Sequence, residues 1–264
     1  MEETAAAGGP QPRGGFPVWG AAWRDVEIRF VGRGAGGSRE AILAAVEVDP
    51  PPVAWARQVH SSRVLAARPG ACGEGDALVA AQPGLALSVA TADCVPVLLA
   101  GGPGLAAIHA GWRGILAGVV PAAVAALPGV EPGGVVAWVG PAIGLCCYEV
   151  GEEVAAAVAA ASAPTVVVRP DPGPPGRPGR PHLDLTAAVV VQLAAAGVEE
   201  IHRFAECTRC AVARLWSFRR DGERAGRNLA FIWRRGQARV PGERRGAAEP
   251  PPPPPTPAAG SLRR

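Results

Sequence analysis

The apolar runs of this chain are short, and glycine, proline or aspartate brackets them, which leaves room for many short strands and few helices. Asp25 to Val31 alternates apolar and polar residues, and 53–60, 77–80, 85–90 and 95–100 are compact apolar segments between such breakers. The stretches 105–109, 135–139, 165–168, 198–204, 212–218 and 228–233 read the same way. Helical patterns are confined to 40–48, 115–127, 152–161 and 187–196, the last with Asp184 or Thr186 as a start signal and Gly197 as a stop. This order predicts the α/β class, a single domain of mixed β-sheets flanked by helices. Strict strand-helix alternation is missing, which argues against a doubly wound sheet.

Composition sets the limits of that domain. A chain of 264 residues that is 48% apolar can bury a sizeable core. The Ala/Gly/Pro-rich stretch 1–15 and the stretch 243–264, with its run Pro250 to Pro255, are expected to stay unstructured, which leaves 16–242 as the folded α/β domain. Arg169 to Pro181, rich in Pro and Gly, is expected to be a surface loop. Basic residues outnumber acidic ones 26 to 23, and residues 244–264 carry that excess with four Arg against one Glu. No basic stripe for nucleic acid remains on the folded part. The apolar-rich region 115–150 is cut by Pro121, Pro128, Pro132 and Pro141, so no membrane span is expected. The first fifteen residues hold no signal-peptide core, so the cytoplasm is the expected location. A monomer is the expected state, although no motif fixes it. Six Cys in a chain this long suit free thiols or metal ligands better than a disulfide scaffold.

Three residues stand where strand-like runs end. His60 and His109 each close an apolar run, and Cys94 lies in Thr91-Ala92-Asp93-Cys94-Val95-Pro96 between two of them. Two imidazoles and a thiolate make a three-ligand set with a fourth tetrahedral position open, as catalytic zinc requires. The spacing matches no short metal motif, so satisfied histidines and a buried thiol stay open as readings. The segment His109-Ala110-Gly111-Trp112-Arg113-Gly114 joins a strand to a helix, where free N–H groups and Arg113 could receive an anion. Asp93 could orient a ligand, shuttle a proton or cap the turn. Cys207-Thr208-Arg209-Cys210 lacks a partner pair and reads as two thiols without function, and adjacent Cys146 and Cys147 read as packing. The glycines from Gly32 to Gly37 lack the spacing of a dinucleotide loop.

Six blocks in order carry a resemblance: Gln58-Val59-His60, Gly75-Asp76-Ala77-Leu78-Val79, Ala92-Asp93-Cys94-Val95-Pro96, His109-Ala110-Gly111-Trp112-Arg113-Gly114, Gly140-Pro141-Ala142-Ile143-Gly144 with Cys147-Tyr148-Glu149-Val150, and Ser217-Phe218-Arg219-Arg220-Asp221 followed by Gly226-Arg227. Together they resemble the laccase-type polyphenol oxidase family, also known as peptidoglycan editing factor and as purine nucleoside phosphorylase with adenosine deaminase activity. The resemblance implies a zinc site of His60, Cys94 and His109, with copper as an occasional occupant, and these three as the catalytic residues. It implies phosphorolysis of adenosine, inosine, guanosine and methylthioadenosine, and deamination of adenosine. The partners would be small purine nucleosides and phosphate, the phosphate held by Arg113, Arg219 and Arg227, since guanidinium groups bind it bidentately.

The chain departs from the family at Ser61, where Gly is usual, at Trp216 and Phe218, where Phe and Tyr are common, and at Asn228, where Met is usual; the short stretch 33–52 lacks the family's Asn-Leu-Gly. These changes put substrate range in question, with Tyr148 as a candidate pocket wall or core residue. Three rivals stand beside this reading: a cysteine hydrolase of a cell-wall precursor with Cys94 as nucleophile, a copper-dependent phenol oxidase, and a binding protein with structural zinc. Four His in all are too few for a multicopper enzyme.

Overall fold

The computed structural model describes residues 9–130, 133–169 and 179–235. The first third of the chain holds β1 (Gln11–Arg13), β2 (Phe16–Trp23), β3 (Val26–Val31), α1 (Arg39–Val46), β4 (Val53–Arg57), β5 (Val64–Ala66), β6 (Gly70–Glu74), β7 (Ala77–Ala80) and β8 (Ala86–Thr91). There follow β9 (Val95–Gly101), β10 (Gly104–Ala110), α2 (Trp112–Ala117), α3 (Val119–Ala125), β11 (Val135–Val139) and α4 (Glu152–Ala161). The last third adds β12 (Val167–Val168), β13 (His182–Leu183), α5 (Leu185–Ala195), β14 (Glu200–Arg203), α6 (Phe218–Asp221) and β15 (Asn228–Arg234).

Two mixed sheets face each other: seven strands in the order β1-β2-β3-β15-β8-β4-β6, and six in the order β14-β11-β9-β10-β7-β5. The side-chain period of two builds the layers. From β9, Leu98 and Ala100 join Ile28 and Phe30 of β3 and Ala230 and Ile232 of β15 in a core between the sheets. Val97 and Leu99 point the other way, into a second core with Ile115, Val119, Val158, Val189 and Leu193 from α2, α3, α4 and α5. Phe231 and Trp233 of β15 meet Ile42, Leu43 and Val46 of α1 on the far face of the larger sheet. Each fully buried leucine or isoleucine contributes about 1.5–3 kcal/mol relative to exposure. The α/β class with mixed sheets flanked by helices is what the periodicities predict.

Several local expectations are corrected. Residues 11–13 form a strand on β2 through a turn in which Gly14 and Gly15 take φ of 53° and 81°, although 1–15 was expected to be unstructured. Glycine meets those angles without the steric cost of a Cβ. Residues 1–8, the proline-rich tail and most of the 169–181 loop lie outside the described residues. The helix expected at 115–127 begins at Trp112 and is interrupted at Gly118, whose φ of 80° closes α2 and opens α3. The strand expected at 212–218 is a series of turns, because Arg214 and Leu215 donate their N–H groups back to Ala211 O. The expected start of α5 at Asp184 holds: its carboxylate accepts from Ala187 N at 2.8 Å. Among the described residues, no helix is long and apolar enough to cross a membrane.

Candidate functional site

Register collects the site. Ile108 of β10 pairs with Ala77 of β7, and Ala110 pairs with Val95 of β9, so Asp76, Cys94 and His109 gather at one end of the six-stranded sheet. His60 reaches the same place from the connection between β4 and β5. The ligand atoms of His60, Cys94 and His109 all lie within 4.8 Å of one another. His109 is buried, Cys94 half-buried and His60 exposed, so the cluster has a closed floor and an open rim.

Asp76 organises this cluster. Its carboxylate is fully buried and accepts from three successive backbone N–H groups, Val59 at 3.2 Å, His60 at 2.9 Å and Ser61 at 2.7 Å. The Ser61 hydroxyl adds a fourth donor at 2.8 Å, so the departure from Gly at this position supplies a hydrogen bond. His60 itself has a left-handed φ of 59°, a conformation that costs a residue with a Cβ about 1–2 kcal/mol and that these N–H contacts offset. The Nδ1–H of His109 donates to the same carboxylate at 2.8 Å, which leaves Nε2 as the free ligand atom.

The donor set fits a tetrahedral metal. Cys94 Sγ lies 3.8 Å from His60 Nε2, against about 3.6 Å for a thiolate and an imidazole on one zinc. Gly111 closes in on them: a Cβ there would sit 2.9 Å from Cys94 Sγ and 2.8 Å from His60 Cδ2, so no larger residue is accommodated. Charge prepares the ligands as well. Burial pushes the Cys94 thiol up, but His109 and His60 outweigh it and bring it down to about 6. Burial pushes His109 down, but Asp76 and Cys94 outweigh it and raise it to about 9. Without a metal, each partner thus favours the charged form of the other.

Two of the three expected arginines stand near this cluster. Arg219 lies 4.9 Å over the Tyr148 ring and donates to Glu149 O at 2.8 Å. Arg113 is exposed one residue into α2, and its charge acts on Tyr148 together with those of Arg219 and Cys94. The Tyr148 phenol is pushed up to about 12, burial being the main cause. Arg227 is elsewhere: it lines a cleft of about 400 Å³ with Ser38, Arg39, Trp55 and Trp216, and donates to Ala225 O and Gly226 O. Ala90, which also lines this cleft, is held by the Gln58 amide, which donates to Ala90 O and accepts from Ala90 N.

Asp93 is a structural link. Its carboxylate accepts from Thr208 Oγ1 and from Arg219 N, both at 2.6 Å, which ties the turn before Cys94 to the start of α6. Asn228 fastens Trp216, its side chain accepting from Trp216 N and donating to Trp216 O, both at 2.9 Å. Trp216 lies under Arg33 in the cleft wall, while Phe218 is exposed. The role of Asp76 went unread in the sequence, although an acid directly before an apolar strand was the available signal. Cys146, Cys147, Cys207 and Cys210, expected to be unrelated, converge with their sulfur atoms within 4.8 Å.

The remaining histidines are engaged apart from the cluster. His182 bonds Leu145 O at 2.7 Å, and His202 pairs with Glu200 and stacks on Trp138. That leaves one His/Cys/His centre, short of the several His-rich centres that multicopper chemistry needs.

Comparison with known proteins places the chain in a family. The profile of the family described as multi-copper polyphenol oxidoreductase laccase matches residues 36–235. A purine nucleoside phosphorylase of Streptomyces coelicolor is 42% identical over 206 residues, 74% of this chain and 81% of its own length. Purine nucleoside phosphorylase YfiH of Escherichia coli is 37% identical over 205 residues, 74% of this chain and 79% of its own. The crystal structure of a Neisseria meningitidis protein superposes with a TM-score of 0.73 at 31% identity, covering 83% of this chain and 99% of that one.

Proposed function

The chain belongs to the family described as multi-copper polyphenol oxidoreductase laccase, and on that premise we propose that it is a zinc-dependent purine nucleoside phosphorylase that also deaminates adenosine. The observation that carries the reading is the convergence of the His60, Cys94 and His109 ligand atoms, with Arg219 over the ring of Tyr148, a residue on which the charges of Cys94 and Arg113 also act. Relatives in two genera bear the phosphorylase name.

In phosphorolysis the bond from C1′ of the ribose to the purine nitrogen breaks, a bond from C1′ to a phosphate oxygen forms, and the base leaves with a proton. Arg113 and Arg219 hold the phosphate through charge-assisted hydrogen bonds. Arg227 serves as the cationic wall of the separate cleft lined by Trp55 and Trp216, whose volume of about 400 Å³ is within the usual size for a small-molecule site. His60, Cys94 and His109 would hold the metal, with Asp76 fixing the His109 ring. Bound zinc supplies a Lewis acid that polarises oxygen, useful for hydrolytic loss of the purine amine as ammonia. Copper in the same three-ligand site is the minor alternative.

Purified protein given adenosine and phosphate should release adenine and ribose 1-phosphate, and without phosphate should form inosine, both read by chromatography. Replacing Arg219 by Ala should raise the KM for phosphate by roughly 10–100-fold, the worth of one charge-assisted contact. No turnover of any purine nucleoside by metal-replete protein would overturn the reading.

A second reading, a hydrolase with Cys94 as nucleophile, draws on the Cys94–His109 pair. One titration separates the two. In metal-stripped protein, alkylation of Cys94 by iodoacetamide should be half-maximal near pH of about 6. The thiolate is complete above that pH and lost as pH falls through it. Added zinc should protect the thiol if Cys94 is a ligand; reaction at an unchanged rate with zinc present favours the hydrolase.

A further inference from the structure

The second thiol cluster has the form of a metal site. Cys146 and Cys147 follow β11 in the turn before Tyr148, and Cys207 and Cys210 follow β14, about sixty residues later in the chain. Cys147 Sγ lies 3.4 Å from Cys210 Sγ, and Cys146 Sγ lies 3.8 Å from Cys210 Sγ and 3.7 Å from Cys147 Sγ. Four thiolates on a zinc with Zn–S of about 2.3 Å stand about 3.8 Å apart, so three of these separations are already close to tetrahedral spacing. Cys207 completes the set within 4.8 Å. All six cysteines are free, and the mutual spacing suits a shared ion better than two discrete bonds.

The backbone is built to support such an ion. Gly144 donates its N–H to Cys207 Sγ at 3.2 Å, an outer contact of the kind that orients a ligating thiolate. A Cβ on Gly144 would stand 3.2 Å from Cys207 Cβ and 3.4 Å from Cys146 Sγ, so glycine permits the close approach of the two segments. Thr208 N bonds Ala142 O at 3.0 Å. The Arg220 guanidinium, held by Asp221, donates to Thr208 O and Arg209 O, which braces the Cys-x-x-Cys turn.

We propose that Cys146, Cys147, Cys207 and Cys210 form a structural tetrathiolate zinc site, separate from the His60/Cys94/His109 cluster. Four protein ligands leave no open position, as in structural zinc sites. The site staples the turn that carries Tyr148 to the segment that carries Arg219. Thr208, inside this clasp, bonds Asp93 next to Cys94, so the same ion steadies the neighbouring centre.

The test is metal analysis of the full chain purified under reducing conditions. Wild type should hold about two zinc ions per chain, Cys94→Ala about one, and the double variant Cys207→Ser/Cys210→Ser one fewer than wild type. If the first centre binds no zinc, one ion should still be present, indifferent to Cys94→Ala and lost with the double variant, which keeps the two readings apart. A folding failure of the double variant is bypassed by cobalt substitution of Cys94→Ala, where the intense visible and near-ultraviolet bands of tetrathiolate cobalt should appear. Their absence overturns the proposal. So does full zinc in a folded double variant, or a mass showing disulfides among these cysteines in freshly isolated protein.

Discussion

Replacing Asp76 by Asn should lower the free energy of unfolding by about 3–5 kcal/mol, the cost of removing one partner from a buried charged network. The carboxylate gathers the N–H groups of Val59, His60 and Ser61, the Ser61 hydroxyl and His109 Nδ1. An amide offers one oxygen for these donors and turns its NH₂ against the rest. If that NH₂ faces His109, Nδ1 becomes the acceptor and the proton moves to Nε2, the atom needed for the metal. Metal affinity should therefore fall about 10–100-fold, as for other outer-shell partners of ligating histidines.

Acid sensitivity provides a second readout. Burial pushes the Asp76 carboxyl up, but His109 and Ser61 outweigh it and hold it far below the ordinary range. A depressed folded-state value means that this stabilisation is complete above the unfolded value of about 3.9 and lost as pH falls below it. Denaturant titrations of wild type and Asp76→Asn should thus differ most near neutrality and converge in acid. Equal stabilities at pH 7 would show that the network is dispensable.

Cys94→Ala should reduce kcat/KM for nucleosides by at least about a thousandfold, equivalent to roughly 4 kcal/mol of transition-state stabilisation, the scale of a lost metal or nucleophile. The fold should survive, because Cys94 is only half-buried and the turn is held through Asp93, whose carboxylate keeps Thr208 and Arg219. Zinc content should drop together with activity. Activity lost while zinc stays at the wild-type level would transfer Cys94 from ligand to nucleophile. Activity retained would remove it from the site altogether.

Much of the fold was legible in advance where local physics decides it. Strands β7 and β11 fall on the predicted bounds, and β3, β8, β9, β10 and β15 differ by a residue or two, because short apolar runs between breakers have few alternatives. The strand pair at 11–23 was missed where glycine and proline suggested coil, since its stability comes from pairing with β3 rather than from local preference. The break within 115–127 was missed because apolar periodicity does not register that Gly118 turns left-handed and divides the helix in two.

The candidate site divides along the same line. His60, Cys94 and His109 could be picked out because each ends a strand-like run, where a side chain projects from the sheet's edge. By itself the sequence determined the class of fold, the positions of most strands and the types of ligand available. Only the tertiary structure decided that Asp76 stands beneath His60 and His109, that Arg227 parts company with Arg113 and Arg219, and that two distant cysteine pairs become one cluster. The physical reason is that periodicity assigns a residue to a face of its strand, whereas which faces meet depends on sheet order and register, set by packing among segments far apart in the chain.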